Sequence, residues 1–415
     1  MPVLATAQQL GLPLREMSVD PQTIRNHTAG MQYRRFGKTE QRLSVITLGG
    51  MRYRDGWTPP RSELRQTTID QCRQCVQLAL DAGINHIETA YGYGTSEKAY
   101  GHVLGPELRV PRERFHLMTK GRPLTADETK KLVERQLRDL QVDKIDLYGW
   151  HGVNDAEILD SIVKPGGPVE ALLRLKEQGV IGAVGFSTHA PTATIVRAIE
   201  TGLFSFINLH YYYFFQNNAP ALEAAAARDM GVFIISPNDK GGQLFKPSER
   251  LRELTAPSTP IQWNARFCLS HSEIHTLSFG MTKPAHFEEM CGVFPVSTPL
   301  SAADAEIKAR LDAQLELDPY SGYAGLELAD DPSGINVPEV LRLRKLWKCY
   351  DMVGYGRYRY NMFANGDPWY PGKLATEERL AQMDAGRLPQ EPDVKALLRE
   401  AHAGLFQSQK PETGH

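Results

Sequence analysis

Cysteine is scarce in this chain of 415 residues. The chain has five cysteines: Cys72, Cys75, Cys268, Cys291 and Cys349. A small, odd and scattered set argues against a disulfide framework and favours reduced thiols in a cytoplasmic protein. Cys72 and Cys75 form a C-x-x-C, but their surroundings have helical spacing and supply no further thiols or histidines. We therefore interpret the pair as helix residues and expect no metal site.

Long apolar runs and an excess of charge of one sign are also lacking. Charged residues interrupt each apolar run within about ten positions, short of the roughly 20 that a membrane span needs. Arg15 and Glu16 break the weakly apolar start too early for a secretory signal. The net charge of −2 gives no long-range attraction to nucleic acid or to anionic lipid. We expect a small-molecule partner and neither nucleic acid nor membrane, and the oligomeric state stays open.

Short apolar runs alternate with helical segments from residue 31 onwards, and none of the runs is followed by the G-x-G-x-x-G turn of an open dinucleotide-binding sheet. Alternation of this kind predicts βα units around a parallel sheet. Eight strands are expected, at residues 45–50, 86–90, 115–120, 145–151, 183–187, 206–211, 232–237 and 276–281. Eight strands, each with a helical segment, predict an α/β fold, a closed parallel (β/α)8 (TIM) barrel, over residues 31–299.

The two ends of the chain have a different character. Residues 1–30 are expected to form a poorly ordered N-terminal extension. Residues 300–415 are predicted to form a small, mostly helical C-terminal module, with an amphipathic helix at 301–317 and another helix from about Pro338. Within it, residues 357–360 are basic and aromatic, and we interpret them as a packing face rather than a nucleic-acid contact.

Four titratable residues fall near the carboxyl ends of predicted strands: Glu88, Tyr93, Lys120 and His151. These ends carry the active site of a parallel barrel, because the βα loops converge there. The set suits carbonyl reduction, in which the carbonyl oxygen gathers negative charge and then a proton. Tyr93 is the expected proton donor, Lys120 lowers the pKa of its phenol, Glu88 orients Lys120, and His151 hydrogen-bonds the carbonyl oxygen.

These residues also carry a resemblance to the aldo-keto reductase family. Residues 31–39 and 48–51 resemble its opening hairpin and first strand, and residues 88–97, E-T-A-Y-G-Y-G-T-S-E, resemble its D-T-A-x-x-Y-G-x-S-E signature. The family's Asp, Tyr, Lys and His tetrad falls on Glu88, Tyr93, Lys120 and His151. Only the acidic member differs, and it is longer by one methylene.

The resemblance implies a nicotinamide cofactor. Residues 181–188, 234–237 and 280–290 are similar to segments with which the family binds it. Lys283 and His286 are the groups expected to meet a 2′-phosphate, which favours NADPH, with NADH possible. The cofactor-binding residues implied are Gly50, Met51, Ser187, Asn208, Ser236, Pro237, Gly280, Met281, Lys283, His286 and Glu289.

Residues 331–340, D-P-S-G-I-N-V-P-E-V, resemble a ferredoxin-like module that one subgroup of the family carries, C-P-x-G-I-N-I-P-E-V. Asp331 occupies a position where that module has a cysteine that binds the iron–sulfur cluster, and Cys349 is isolated. The resemblance therefore implies a degenerate module with no iron–sulfur cluster.

The sequence therefore predicts an oxidoreductase, an NAD(P)H-dependent aldo-keto reductase that reduces an aldehyde, ketone or sugar-like carbonyl group to the alcohol. A catalytically silent nucleotide-binding sensor or regulatory subunit is the alternative, and electron transfer through the C-terminal module is disfavoured by the missing thiols. The aromatic run 211–215 either lines the substrate pocket or packs at the barrel rim.

Overall fold

Eight parallel strands close into a barrel in the computed structural model, which describes residues 20–53, 61–238, 243–326, 331–366 and 369–407. A two-stranded antiparallel hairpin precedes them, with β1 at Tyr33–Arg35 and β2 at Arg42–Ser44. The barrel strands are β3 Ile46–Gly49, β4 His86–Glu88, β5 His116–Gly121, β6 Ile145–His151, β7 Ile181–Ser187, β8 Phe206–Leu209, β9 Gly231–Ile235 and β10 Thr276–Phe279. Neighbours in the chain pair in order, and β10 pairs with both β9 and β3. The predicted parallel barrel is confirmed.

Helices surround this barrel and form the C-terminal part of the chain. Those up to residue 291 are α1 Gln66–Asp81, α2 Ser96–His102, α3 Ala126–Leu140, α4 Ala156–Val163, α5 Pro168–Glu177, α6 Thr192–Glu200, α7 Ala219–Ala226, α8 Glu249–Thr255, α9 Pro260–Leu269 and α10 Pro284–Cys291. Helix α3 begins where its sequence predicts, because the Thr125 side chain accepts a hydrogen bond from the Glu128 amide. Cys72 and Cys75 are buried free thiols within α1.

The hairpin β1–β2 covers the amino-terminal end of the barrel. Phe36, which follows β1, is fully buried among Leu43, Phe206 and Phe233. Gly231 at the start of β9 leaves the room that this ring occupies, since a Cβ there would lie 2.7 Å from the Phe36 ring. With one end filled by side chains, a ligand has access only from the carboxyl ends of the strands.

The C-terminal part packs on the barrel as a set of helices. They are α11 Ala302–Ala313, α12 Val337–Tyr350, α13 Val353–Met362, α14 Glu377–Gln382 and α15 Val394–Leu405. The segment predicted as one helix over 301–317 is α11 followed by a short 3-10 turn. Tyr213 donates a hydrogen bond to Asp312 at 2.8 Å, and Phe214 packs on Tyr350. The aromatic run 211–215 thus packs largely between barrel and module.

At the other end of the chain, residues 20–30 contact the barrel. Arg25 bonds to Phe115 and Asp146, and Asn26 bonds to Leu80 and Ile84. The rest of the predicted extension, residues 1–19, lies outside the described residues, and the domain boundaries stay predictions. Within the described ranges, none of the helices is both long and apolar enough to cross a membrane.

Candidate functional site

Glu88, Lys120 and His151 end three consecutive barrel strands. Glu88 is the last residue of β4, Lys120 the last but one of β5, and His151 the last of β6. Lys120 is almost fully buried, forms an ion pair with Glu88 and donates a 3.0 Å hydrogen bond to the carbonyl of Thr89. Gly149, its register partner on β6, provides space, because a Cβ there would lie 3.1 Å from Lys120 Cγ. The longer glutamate therefore does reach Lys120.

Tyr93 lies on the loop after β4, between these residues. Its ring centroid is 4.8 Å from Lys120 Nζ and 5.7 Å from the centroid of the His151 imidazole, with the two rings almost perpendicular. The four residues predicted as catalytic thus meet at the carboxyl end of the barrel. Their roles stay predictions.

The sequence analysis expects Lys120 to lower the pKa of the Tyr93 phenol, whereas in the structure this pKa is raised. Burial raises the pKa of the Tyr93 phenol, and Arg52 acts in the opposite direction. Lys120 lies over the face of the ring, and burial lowers the pKa of this lysine. Tyr93 is therefore a protonated phenol at neutral pH, as a proton donor must be.

The half-buried guanidinium of Arg61 holds the loop that carries Tyr93. Arg61 donates hydrogen bonds to the carbonyls of Tyr91 and Gly94, the latter at 2.9 Å. It also contacts Glu97 at 2.5 Å and Asp139 at 3.0 Å. The loop is fixed on both sides of Tyr93.

Ser187 and Asn208 lie at the same level of β7 and β8, where they are register partners. Ser187 Oγ accepts a 3.2 Å hydrogen bond from the Gly152 amide, and its hydroxyl proton remains available to a ligand. Asn208 is completely buried, and its Oδ1 has no hydrogen-bond partner among the described residues. The Thr188 hydroxyl donates a hydrogen bond to the Val153 carbonyl and accepts one from the Ala190 amide, so it already bonds within the protein both as donor and as acceptor.

Ser236 and Pro237 follow β9 in a strained conformation. Ser236 has a φ angle of +53°, a backbone conformation that residues other than glycine rarely adopt. Such strain costs on the order of 1 kcal/mol and is concentrated at ligand-binding sites. The Pro237 carbonyl accepts a 2.6 Å hydrogen bond from Asn264, which fixes the turn.

The predicted cofactor-binding residues that directly follow β3 and β10 are buried or half-buried. A Cβ on Gly50 would collide with Ser96 and lie 2.5 Å from the Tyr100 ring, so packing requires glycine there. Met281 is buried in the core, and Met51 is half-buried. Gly280 leaves room for the Arg52 side chain, since a Cβ there would lie 3.0 Å from Arg52 Cγ.

Lys283, His286 and Glu289 lie on or beside α10. Lys283 is exposed at the N-cap. His286 stacks on Phe245 with ring centroids 4.5 Å apart, and its Nδ1 accepts a 3.2 Å hydrogen bond from the Thr282 amide. The pKa of His286 is lowered, chiefly by burial and to a smaller extent by the positive charge of Lys283. Glu289 accepts a hydrogen bond from the Thr259 hydroxyl beside a cavity of about 460 Å³.

Several residues at this end were not predicted from the sequence: Arg52, Arg61, His189, His210 and Trp369. Arg52 immediately follows the predicted Met51, while His189 and His210 lie two residues after the predicted Ser187 and Asn208, and these positions were the available signals. The others have no local pattern that distinguishes them from surface or core residues. In the part of the chain that the structure describes, no group of three or more His, Cys, Asp or Glu side chains could hold a metal ion.

Comparison with known proteins gives a consistent family. A sequence model of the Aldo/keto reductase family matches residues 45–254, about half of the chain. An aldo-keto reductase of Mycolicibacterium smegmatis is 29% identical over 147 residues, which cover 34% of this chain and 50% of that protein. The 6-dehydroglucose reductase of Novosphingobium aromaticivorans is 36% identical over 113 residues, 22% of this chain and 37% of that protein. These matches span about half or less of the relatives' length.

Solved structures with the same fold are more distant in sequence. An aldo-keto reductase of Bacillus halodurans in its holo form has 21% identity and a TM-score of 0.54, and the match covers 68% of this chain and 96% of that one. An aldo/keto reductase of Klebsiella pneumoniae in complex with NADP and acetate has 20% identity and a TM-score of 0.53, over 67% and 94% of the two chains.

Proposed function

The chain belongs to the aldo/keto reductase family, and on that basis we propose that it uses NAD(P)H to reduce an aldehyde, ketone or sugar-like carbonyl group to the alcohol. One observation carries the proposal: a buried Glu88–Lys120 ion pair lies beneath the ring of Tyr93, and His151 lies beside that ring. Each step of carbonyl reduction has a suitable side chain in this arrangement.

The proton comes from Tyr93. Because burial raises the pKa of its phenol, the hydroxyl carries a proton at neutral pH and can donate it to the carbonyl oxygen. The phenolate left behind is stabilised by the Lys120 ammonium, which Glu88 holds in place. His151 hydrogen-bonds the same oxygen while negative charge develops there.

The buried amide of Asn208 supports a nicotinamide cofactor. Its Oδ1 has no partner among the described residues, and such a buried acceptor is costly unless a ligand supplies a donor. The carboxamide of nicotinamide has both an N–H for Asn208 Oδ1 and an oxygen for the Ser187 hydroxyl. Bound here, NAD(P)H would supply the hydride that the carbonyl carbon receives, while Ser236 and Pro237 shape the adjacent wall.

Lys283 supports a preference for NADPH. It is an exposed cation at the N-terminus of α10, where the helix dipole also attracts anions. His286 adds no positive charge at neutral pH, because its pKa is lowered, but its Nε2 can still donate a hydrogen bond. We expect Lys283→Met to weaken NADPH binding and to leave NADH binding unchanged.

The proposal is tested by titration and turnover. Intrinsic fluorescence should saturate with NADPH in the wild type, and Asn208→Leu should weaken this binding about tenfold or more, since an unmade buried hydrogen bond costs about 1–3 kcal/mol. The wild type should then oxidise NADPH in the presence of some member of a panel of aldehydes, ketones and oxidised sugars. Binding without turnover of any carbonyl compound would favour the sensor alternative, and no binding of either nucleotide would contradict both.

A further inference from the structure

Trp369 belongs to the C-terminal module, yet it lies at the catalytic end of the barrel. Its ring centroid is 4.8 Å from that of His151 and 5.7 Å from that of His189. Gly152, which follows His151, has φ +88° and leaves room for the indole, because a Cβ there would lie 2.6 Å from Trp369 Cη2. The indole therefore packs over the loops that follow β6 and β7.

The residue after Trp369 is firmly anchored within the module. The Tyr370 ring stacks on Phe363 at 4.5 Å and 9°, and its hydroxyl donates a 2.9 Å hydrogen bond to the buried Glu339. The guanidinium of Arg359 lies 3.6 Å from the centre of the same ring. These contacts fix the backbone next to Trp369, so the position of the indole depends on how the module packs.

His151 has two aromatic neighbours: its ring centroid lies 5.7 Å from that of Tyr93 and 4.8 Å from that of Trp369. A carbonyl group within reach of both Tyr93 and His151 therefore places the rest of its molecule near the indole. Polar groups surround the indole as well. His189 and His210 are joined by a 2.8 Å hydrogen bond, and the exposed Arg122 guanidinium lies 5.7 Å from the Trp369 ring.

A flat apolar ring surrounded by imidazole and guanidinium groups is suited to a ligand with an apolar face and hydroxyl groups at its edge. We propose that Trp369 determines substrate specificity, and that the substrate is a cyclic, hydroxyl-bearing carbonyl compound of the sugar type that packs its C–H face on the indole. The inference rests on the proposed function and adds to it the class of substrate and a residue from outside the barrel.

The test compares a ring substrate with a small one in matched variants. The substrates are a methyl ketoglucopyranoside, benzaldehyde and propanal, with NADPH, in the wild type, Trp369→Ala, Trp369→Phe and Trp347→Ala. Trp347 lies on α12 of the same module, where its ring packs against Gly404, and it controls for general loosening of the module.

We expect Trp369→Ala to lower kcat/KM for the ketoglucopyranoside about 10-fold to 100-fold, chiefly through KM, as loss of an apolar contact does. Propanal turnover should fall much less than ketoglucopyranoside turnover, NADPH binding should not change, Trp369→Phe should recover most of the loss, and Trp347→Ala should behave as the wild type.

Three outcomes would overturn the inference alone: an equal loss for the ketoglucopyranoside and propanal, no loss for either, or a larger loss for benzaldehyde than for the ketoglucopyranoside. Absence of turnover of all three substrates by the wild type would instead count against the proposed function, and the inference would fall with it.

Discussion

At the residue scale, the site contains a buried ion pair between Glu88 and Lys120. Both side chains are nearly inaccessible to water. Removing one charge of such a pair leaves the other uncompensated in a medium of low polarity, which costs about 3–5 kcal/mol. Glu88→Gln should therefore lower the free energy of unfolding by about that amount and also reduce turnover.

Glu88→Asp is the matched variant, because it keeps the charge and shortens the side chain by one methylene. It should retain most of the stability that Glu88→Gln loses. Urea unfolding at pH 7 measures both variants, and equal stability of Glu88→Gln and the wild type would show that the pair is not the buried ion pair described.

The sequence was most informative for residues that belong to a continuous motif at a strand end. Tyr93, Lys120, His151 and Glu88 were predicted because each follows or ends an apolar run. Trp369 could not be predicted, because its proximity to His151 depends on how the C-terminal module packs on the barrel. The raised pKa of Tyr93 was also unpredictable, since burial is a property of the fold and not of the motif.

At the scale of elements, the loop after β4 depends on Arg61. Arg61→Met should remove the bonds to Tyr91 and Gly94 and displace Tyr93, and a displacement of about 1 Å can reduce rate by about 100-fold. We expect a loss in kcat with little change in NADPH affinity. Arg65→Met, at an exposed arginine nearby, is the control. A wild-type kcat in Arg61→Met would exclude the positioning role.

The end of β3 gives a second prediction, at Gly50. A Cβ there collides with Ser96 and the Tyr100 ring, so Gly50→Ala should destabilise the protein by about 1–3 kcal/mol, as overpacking does. Gly322→Ala is the control, because nothing lies within 4 Å of a Cβ at that position. Thermal unfolding that is unchanged in Gly50→Ala would show that packing does not require glycine at this position.

Strands and helix ends could be predicted where one local sequence pattern determines their position. Apolar runs of strand length located all eight barrel strands, and the Thr125 cap located the start of α3. Strand ends were less accurate: β8 ends at Leu209, whereas its predicted range continues to 211, because the chain turns away there to pack aromatic rings against the module.

At the scale of the whole molecule, buried histidines make stability depend on pH. Burial lowers the pKa of His86 and of His116 to about 3. Both are neutral in the folded protein, while in the unfolded chain they take up protons below about pH 6.5. Their contribution to stability is therefore complete above that pH and is lost as the pH falls towards 3.

Between pH 7 and pH 5.5 these two residues should together remove about 2.5 kcal/mol from the free energy of unfolding. Urea unfolding at the two pH values measures this change together with that of His275, whose pKa burial also lowers, to about 4, and His86→Gln should reduce the total by about 1.2 kcal/mol. The same change in the variant as in the wild type would show that His86 is not a neutral, buried group.

In the proposed reaction, Tyr93 donates the proton to the carbonyl oxygen at this end of the barrel. The most direct measurement is kcat/KM for NADPH-dependent reduction of the best carbonyl substrate by the wild type and by Tyr93→Phe, with the NADPH dissociation constant of each. Loss of a general acid reduces rate by about 100-fold to 10,000-fold, so we predict a decrease of that size with unchanged NADPH binding. Wild-type kcat/KM in Tyr93→Phe would show that Tyr93 is not the proton donor.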